Sequence, residues 1–219
     1  MKTITLTALA LALAASSASA DGFYVSGKIS SLTFGHEIER NTEAALGAPD
    51  NSAVTRTEET DVSGGLALGY EQTLGDGTLY WGVEGYYDAH NGESRNINNV
   101  LVTEVALDAT YGARVILGAN VSDKVRLYTH AGVAQVEFDV TNSYTFAPPV
   151  TEESFEETGF TFGVGASVAI SEQVAFFTEY TQVTGVDFDG IGEVAGGTGR
   201  VNDNTLDLSS LAIGVKYSF

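Results

Sequence analysis

The chain of 219 residues has no cysteine, three prolines and a single tryptophan, and it sets only 10 lysines and arginines against 29 aspartates and glutamates. Each shortage excludes something. Without a thiol there is neither a disulfide framework nor a thiolate metal site. A formal charge of −19 argues against nucleic acid as a partner, because phosphate binding needs clustered basic side chains. A chain this acidic is well solvated and attracts cations. Past the first twenty residues, no window is apolar enough for a transmembrane helix.

What the chain has in abundance is glycine, 25 in all, together with valine, threonine, tyrosine and phenylalanine, which favours strands and turns over helices. Residues 1–20 read as a cleaved signal peptide. Lys2 gives a positive start, Ile4 to Ala15 is an apolar run too short to span a bilayer, and Ala18 and Ala20 flank Ser19 as small cleavage-site residues before Asp21. Residues 21–219 then form one domain, of a size suited to a single core.

The end of that domain has the clearest pattern. Leu211, Ile213, Val215, Tyr217 and Phe219 alternate with Ala212, Gly214, Lys216 and Ser218, so a strand there has one wholly apolar face. Comparable alternation recurs over Phe23–Ser31, Val62–Glu71, Leu79–Asp88, Glu104–Leu117, Val125–Val133, Phe160–Ile170 and Val174–Gln182. In the fifth window Val136, Phe138 and Val140 fall on the opposite parity, which predicts a bulge near Ala134. Connections alternate in length. Gln72–Gly77, Gly118–Asp123 and Ser171–Gln173 are short, whereas His36–Asp61, Asp88–Val100, Thr141–Glu157 and Thr184–Asn204 are long, polar and acidic.

An even number of strands of about ten residues, apolar on one face, with short turns at one end and long loops at the other, predicts an all-β fold. It is an eight-stranded antiparallel up-and-down transmembrane β-barrel with short periplasmic turns and long extracellular loops. Its place is the outer membrane of a Gram-negative bacterium. Phe23, Tyr70, Trp81, Phe176, Tyr217 and Phe219 would form the periplasmic aromatic girdle, and Tyr87, Phe138, Phe160 and Tyr180 the outer one. A soluble lipocalin-like barrel would instead turn these apolar faces inward.

The opening Gly22-Phe23-Tyr24-Val25-Ser26-Gly27-Lys28 and the closing Gly214-Val215-Lys216-Tyr217-Ser218-Phe219 resemble those of the small outer-membrane barrels of the OmpA/OmpX and opacity-protein/surface-antigen kind. The resemblance runs over residues 21–219. It implies that Ile213, Val215, Tyr217 and Phe219 carry the signal read by the barrel-assembly machinery. It also implies a bare barrel without a cell-wall-binding domain. It leaves function open, because this scaffold hosts adhesins, structural proteins, enzymes and narrow pores.

The polar faces carry Lys28, Glu71, Glu84, Asp108, Arg114, Arg126, Glu179 and Lys216, with His130 beside them. In a lumen just wide enough for side chains, such charges are tolerable when paired. They form either a closed ionic plug or a gated path for small ions. His90, Glu93 and Ser94 are the nearest approach to a hydrolytic constellation, and His130 reads as a hydrogen-bonded interior residue. Gly196-Gly197-Thr198-Gly199 and Asp187-Phe188-Asp189-Gly190 lack the full spacing of calcium loops. No catalytic, metal or cofactor site is therefore assigned.

The leading function is a surface-exposed structural or interaction protein acting through acidic loops. A small-solute, porin-like pore is the alternative, and a lipid-modifying enzyme comes third. Expected partners are outer-membrane lipid and lipopolysaccharide, the assembly machinery and, at Glu152, Glu153, Glu156 and Glu157, weakly held divalent cations. Deleting Phe219 should lower the amount of assembled barrel in the outer membrane while leaving export and signal cleavage intact, as read by fractionation and heat-dependent gel mobility. Unchanged assembly would remove the terminal strand as the signal.

Overall fold

The computed structural model describes residues 21–42, 51–98, 101–144, 149–189 and 203–219. Ala18, Ala20 and the Gly196–Gly199 run lie outside the described residues. Eight strands follow one another: β1 (Gly22–Thr42), β2 (Asn51–Leu74), β3 (Leu79–Asn98), β4 (Leu101–Asn120), β5 (Val125–Tyr144), β6 (Pro149–Ala169), β7 (Val174–Asp189) and β8 (Asp203–Ser218). Each pairs antiparallel with its sequence neighbour, and β1 closes on β8 from Tyr24 opposite Ser218 to Ile38 opposite Asn204. Closure removes the sheet edges, the condition for a strand to sit in lipid.

The outward faces of the lower strands form an apolar belt. Ile29, Leu66, Val164 and Ile213 keep between 58% and 71% of their surface exposed, which in water would cost stability and in lipid does not. Tilted strands climb about 3.3 Å per residue, so about ten residues cover a belt of about 25 Å. Phe23, Tyr70 and Trp81 meet edge-on at its lower rim, as do Tyr217 and Phe219. At its upper rim Tyr87 stacks on Tyr111. Phe138 is not in that outer girdle, since it is 1% exposed and points into the barrel. Tyr111 takes its place.

Above the belt the strands continue, so most of His36–Asp61, Asp88–Val100 and Thr141–Glu157 is strand rather than loop, as are residues 184–189 and 203–204 of the last long connection. The sign of the alternation reverses there. Outward positions become polar (Glu93, Glu137, Asp139, Glu156, Asp207), and inward positions become apolar. Leu32, Phe34, Val105, Leu107, Val136, Phe138, Val140, Val183, Val186, Phe188, Leu206 and Leu208 make one buried cluster. With water instead of lipid outside the wall, the hydrophobic effect turns apolar side chains inward, as in a soluble protein. A pattern sought by its lipid-facing apolar residues fades at this level.

The walls also separate. The β2–β3 ladder ends at Gly64 opposite Ala89 and the β6–β7 ladder at Phe160 opposite Thr184, while the other ladders run on upward. Two four-stranded sheets, β2-β1-β8-β7 and β3-β4-β5-β6, then face each other across the apolar cluster as a sandwich. Bulges sit at these departures, between Ala89 and Gly92 in β3 and between Val183 and Val186 in β7, where Gly185 holds φ at 73°. An extra residue bends its strand and breaks the local ladder, which swings β3 and β7 away from their partners.

A third bulge corrects two sequence expectations. Register shifts between Leu107 and Ala109, and there is no shift at Ala134. β5 keeps its even residues inward throughout, and it is their chemistry that changes, from Arg126 and His130 to Val136, Phe138 and Val140. In β4 the bulge moves Val105, Leu107 and Ala109 inside and turns Asp108 out to solvent. Asp108 is thus not a lumen residue. The sandwich is closely fitted: a Cβ on Gly92 would lie 2.6 Å from the Phe34 ring across the two sheets. Phe34→Ala should cost about 3–5 kcal/mol of unfolding free energy, measured by urea titration in micelles, with barrel assembly retained. A change near zero would show the cluster to be loosely packed.

Candidate functional site

Inside the belt, inward side chains alternate between very large and none. Tyr24 lies over Gly69, Tyr80 over Gly118, Tyr128 over Gly165 and Phe177 over Gly214, each pair directly opposed on neighbouring strands. A Cβ at any of the four glycines would approach its ring to between 2.2 and 2.4 Å. The lumen has no room for two side chains side by side. The glycines let these rings lie flat against the wall, and Tyr24 and Tyr128 aim their hydroxyls at charged partners.

Those partners are arranged around Arg114 of β4. Its Nε and Nη2 reach Glu84 Oε1 of β3, both at 2.6 Å. Nη1 and Nη2 form a two-pronged pair with Glu179 of β7 at 2.9 and 3.0 Å. One guanidinium therefore ties opposite walls together, as its planar fork of donors allows. Tyr24 donates to Glu84 at 2.7 Å and Tyr128 to Glu179 at 3.1 Å. Arg114 Nη1 also donates toward His130 Nε2 at 3.2 Å, so the imidazole is an interior acceptor.

Nearer the periplasm, Glu71 of β2 holds Lys216 of β8 at 2.8 Å and Arg126 of β5 at 3.1 Å. Lys28 of β1 reaches Asp88 at 3.0 Å and stands 3.9 Å from Glu179. Four cations thus meet four carboxylates, and three tyrosine rings face the cations. Lys216 lies 4.9 Å from the Tyr24 ring, Arg126 4.8 Å from Tyr80 and Arg114 5.3 Å from Tyr86. Beside this network is a cavity of about 30 Å³ between Tyr24, Glu71, Glu84, Arg114, Phe177 and Lys216, space for a water or two.

Of the residues expected here, Lys28, Glu71, Glu84, Arg114, Arg126, His130, Glu179 and Lys216 are brought together, and Asp108 is replaced by Asp88. Lys28 and Lys216 are held by separate carboxylates, Asp88 and Glu71. Asp88 continues the inward parity of Tyr80, Gly82, Glu84 and Tyr86, and that parity was the signal for it. Exposed Asp108 stands outside the belt, its carboxyl held above the usual range by partial burial and then by Asp139 and Glu137.

The other constellations disperse. His90 and Ser94 face inward, with His90 Nε2 at 3.0 Å from Thr110 Oγ1, whereas Glu93 faces out. Asp187 is outward on a strand and Phe188 is buried in the sandwich, which is no calcium loop. Among the described residues no cluster of histidines and carboxylates has the geometry of a metal site. Ile213, Val215 and Tyr217 stand on the lipid-facing side of β8, and Phe219, just past its end, meets the Tyr217 ring edge-on and donates its N–H to Phe23 O at 3.0 Å.

Removing one partner of a buried pair strands the other charge in the lumen, so Glu179→Ala should destabilise the barrel by about 3–5 kcal/mol. Glu104→Ala breaks a 3.0 Å pair with Arg95, whose side chain is 58% exposed, and should cost less than about 1 kcal/mol. Urea unfolding of both variants in micelles checks the ranking. Equal losses would mean that the lumen is as wet as the surface.

NspA, a neisserial surface protein, is similar at 16% identity and a TM-score of 0.49, over 90% of this chain and 97% of that one. OprG of Pseudomonas aeruginosa is similar at 10% identity and a TM-score of 0.49, over 91% and 96%. Ail of Yersinia pestis, an attachment invasion locus protein, is similar at 15% identity and a TM-score of 0.37, over 86% and 98%. No curated protein gives a significant sequence match. The profile described as "Outer membrane protein beta-barrel domain" matches residues 3–219, and the chain belongs to that family.

Proposed function

We propose that the protein is a surface-exposed structural and interaction barrel of the Gram-negative outer membrane whose lumen is closed. The observation that carries this reading is Arg114, joined to Glu84 on one wall and Glu179 on the other, with the apolar sandwich stacked above it. An ion crossing the barrel has to separate desolvated pairs, at several kcal/mol, and then pass an apolar layer. What the rigid strands hold beyond the membrane is a platform with acidic side chains on its outer faces, and binding commonly resides on such presented surfaces.

Lipid and lipopolysaccharide surround the belt in this reading, and β8 is the strand handed to the assembly machinery. Glu137 lies opposite Glu156, beside Asp108 and Asp139, just above the upper rim. Like charges so placed repel, and divalent cations shared with anionic headgroups relieve the repulsion.

Purified protein in planar bilayers should show no steady conductance, while Glu84→Ala, which frees one side of Arg114, should give brief openings to small ions. Large, stable, ion-selective currents from the unmutated protein would overturn the closed lumen in favour of a pore.

A further inference from the structure

The closed barrel has no edges, but the sandwich above it does. β6 pairs with β5 along its whole length, from Val168 opposite Val125 to Pro149 opposite Ser143. On its other side the ladder with β7 stops at Phe160, so among the described residues 149–159 have no ladder partner toward β7. A strand side of this length offers a row of backbone donors and acceptors to any extended chain. We propose that this upper edge of β6 is a docking edge for an extended, lysine- and arginine-rich segment of a partner protein, added as one more strand. The proposal rests on the surface-interaction reading above and gives its partner a chemistry.

Charge selects the occupant. Glu152, Glu153, Glu156 and Glu157 lie within six consecutive residues, and among the described ion pairs none of them meets a lysine or arginine. Glu156 instead accepts a hydrogen bond from the Tyr111 hydroxyl at 2.7 Å. Glu152 and Glu156 share the outward face of β6, and Glu153 and Glu157 lie on its other face, so an added strand meets carboxylates on both sides. Between them Phe155 packs on Phe138 and Phe188 at ring-centroid distances of 5.3 and 5.5 Å, an apolar seat in an acidic row. The segment that fits carries basic residues on both faces and an apolar one opposite Phe155.

A second copy of this chain is the wrong occupant, since edge-to-edge pairing would oppose glutamates to glutamates. The edge of β3 differs too, for there Arg95 is already paired with Glu104 at 3.0 Å.

The test uses the full barrel in lipid nanodiscs and two fluorescent peptides. One repeats lysine-lysine-valine over about ten residues, a length matched to a strand and a pattern that puts lysines on both of its faces. The other replaces every valine with proline, keeping charge and extension while removing about a third of the backbone donors. The lysine–valine peptide should slow amide exchange at residues 152–158 by about tenfold or more, and the lysine–proline peptide should bind about tenfold more weakly. Replacing the four glutamates by glutamine should weaken lysine–valine binding about tenfold and leave the heat-dependent gel shift of a folded barrel intact.

Equal binding of the two peptides, protection elsewhere, unchanged binding by the glutamine variant, or self-association through this edge would each overturn the docking edge. So would the absence of binding, which would leave the glutamates as guards against aggregation. These failures are separable from failure of the closed-lumen reading, which shows as conductance in the absence of any peptide.

Discussion

An eight-stranded barrel encloses a lumen that its own side chains must fill, and any charge inside has left water without entering a solvent able to replace it. Most of the membrane-level sequence follows from that constraint. Lys28, Arg114, Arg126 and Lys216 balance Glu71, Glu84, Asp88 and Glu179 within hydrogen-bonding reach. Glycines opposite Tyr24, Tyr80 and Tyr128 clear the space in which rings and guanidinium groups lie against the wall. The pairs stabilise little in net terms, but leaving any one of them half-made is expensive. The network therefore enforces a single arrangement more than it adds stability.

The same eight strands solve a different problem a few residues higher. Once the outside of the wall is water, burial rather than lipid contact sets the pattern, and Leu32, Phe34, Val136, Phe138, Leu206 and Leu208 move the apolar surface to the inside. β1, β5 and β8 make the change by swapping residue types on an unchanged parity, whereas β4 and β7 use bulges to swap faces. The bulges also release β3 and β7 from their neighbours, which is how one closed barrel becomes two facing sheets.

The lower half was legible in the sequence because lipid on one side and a narrow lumen on the other impose strict alternation. The terminal strand, the short turns and nearly every lumen charge could be read from it. Above the belt the inward residues of β5 look like those of a lipid-facing strand, so Val136 and Phe138 suggested a bulge where there is none. Asp108 misled for the complementary reason: a bulge leaves no mark in residue type, and its even parity matched Arg114 three pleats away. Asp88 closes the alternating window of β3 and also opens the polar stretch read as a loop, so its inward parity was not carried into the set of lumen charges. The sandwich was invisible because it depends on which ladders end, and cross-strand pairing is not local to any segment.

The seams between the sheets bear on how the wall is held together. The first and last strands meet along a ladder from Tyr24–Ser218 to Ile38–Asn204, well above the belt. β6 and β7 share rungs only from Ala169–Ala175 to Phe160–Thr184, the shortest ladder of the eight. Above it Phe188 reaches across the seam to the rings of Phe155 and Phe138. The shortest junction in the wall thus lies inside the chain and not where its two ends meet, so closing the barrel and holding its upper walls together fall to different pairs of strands.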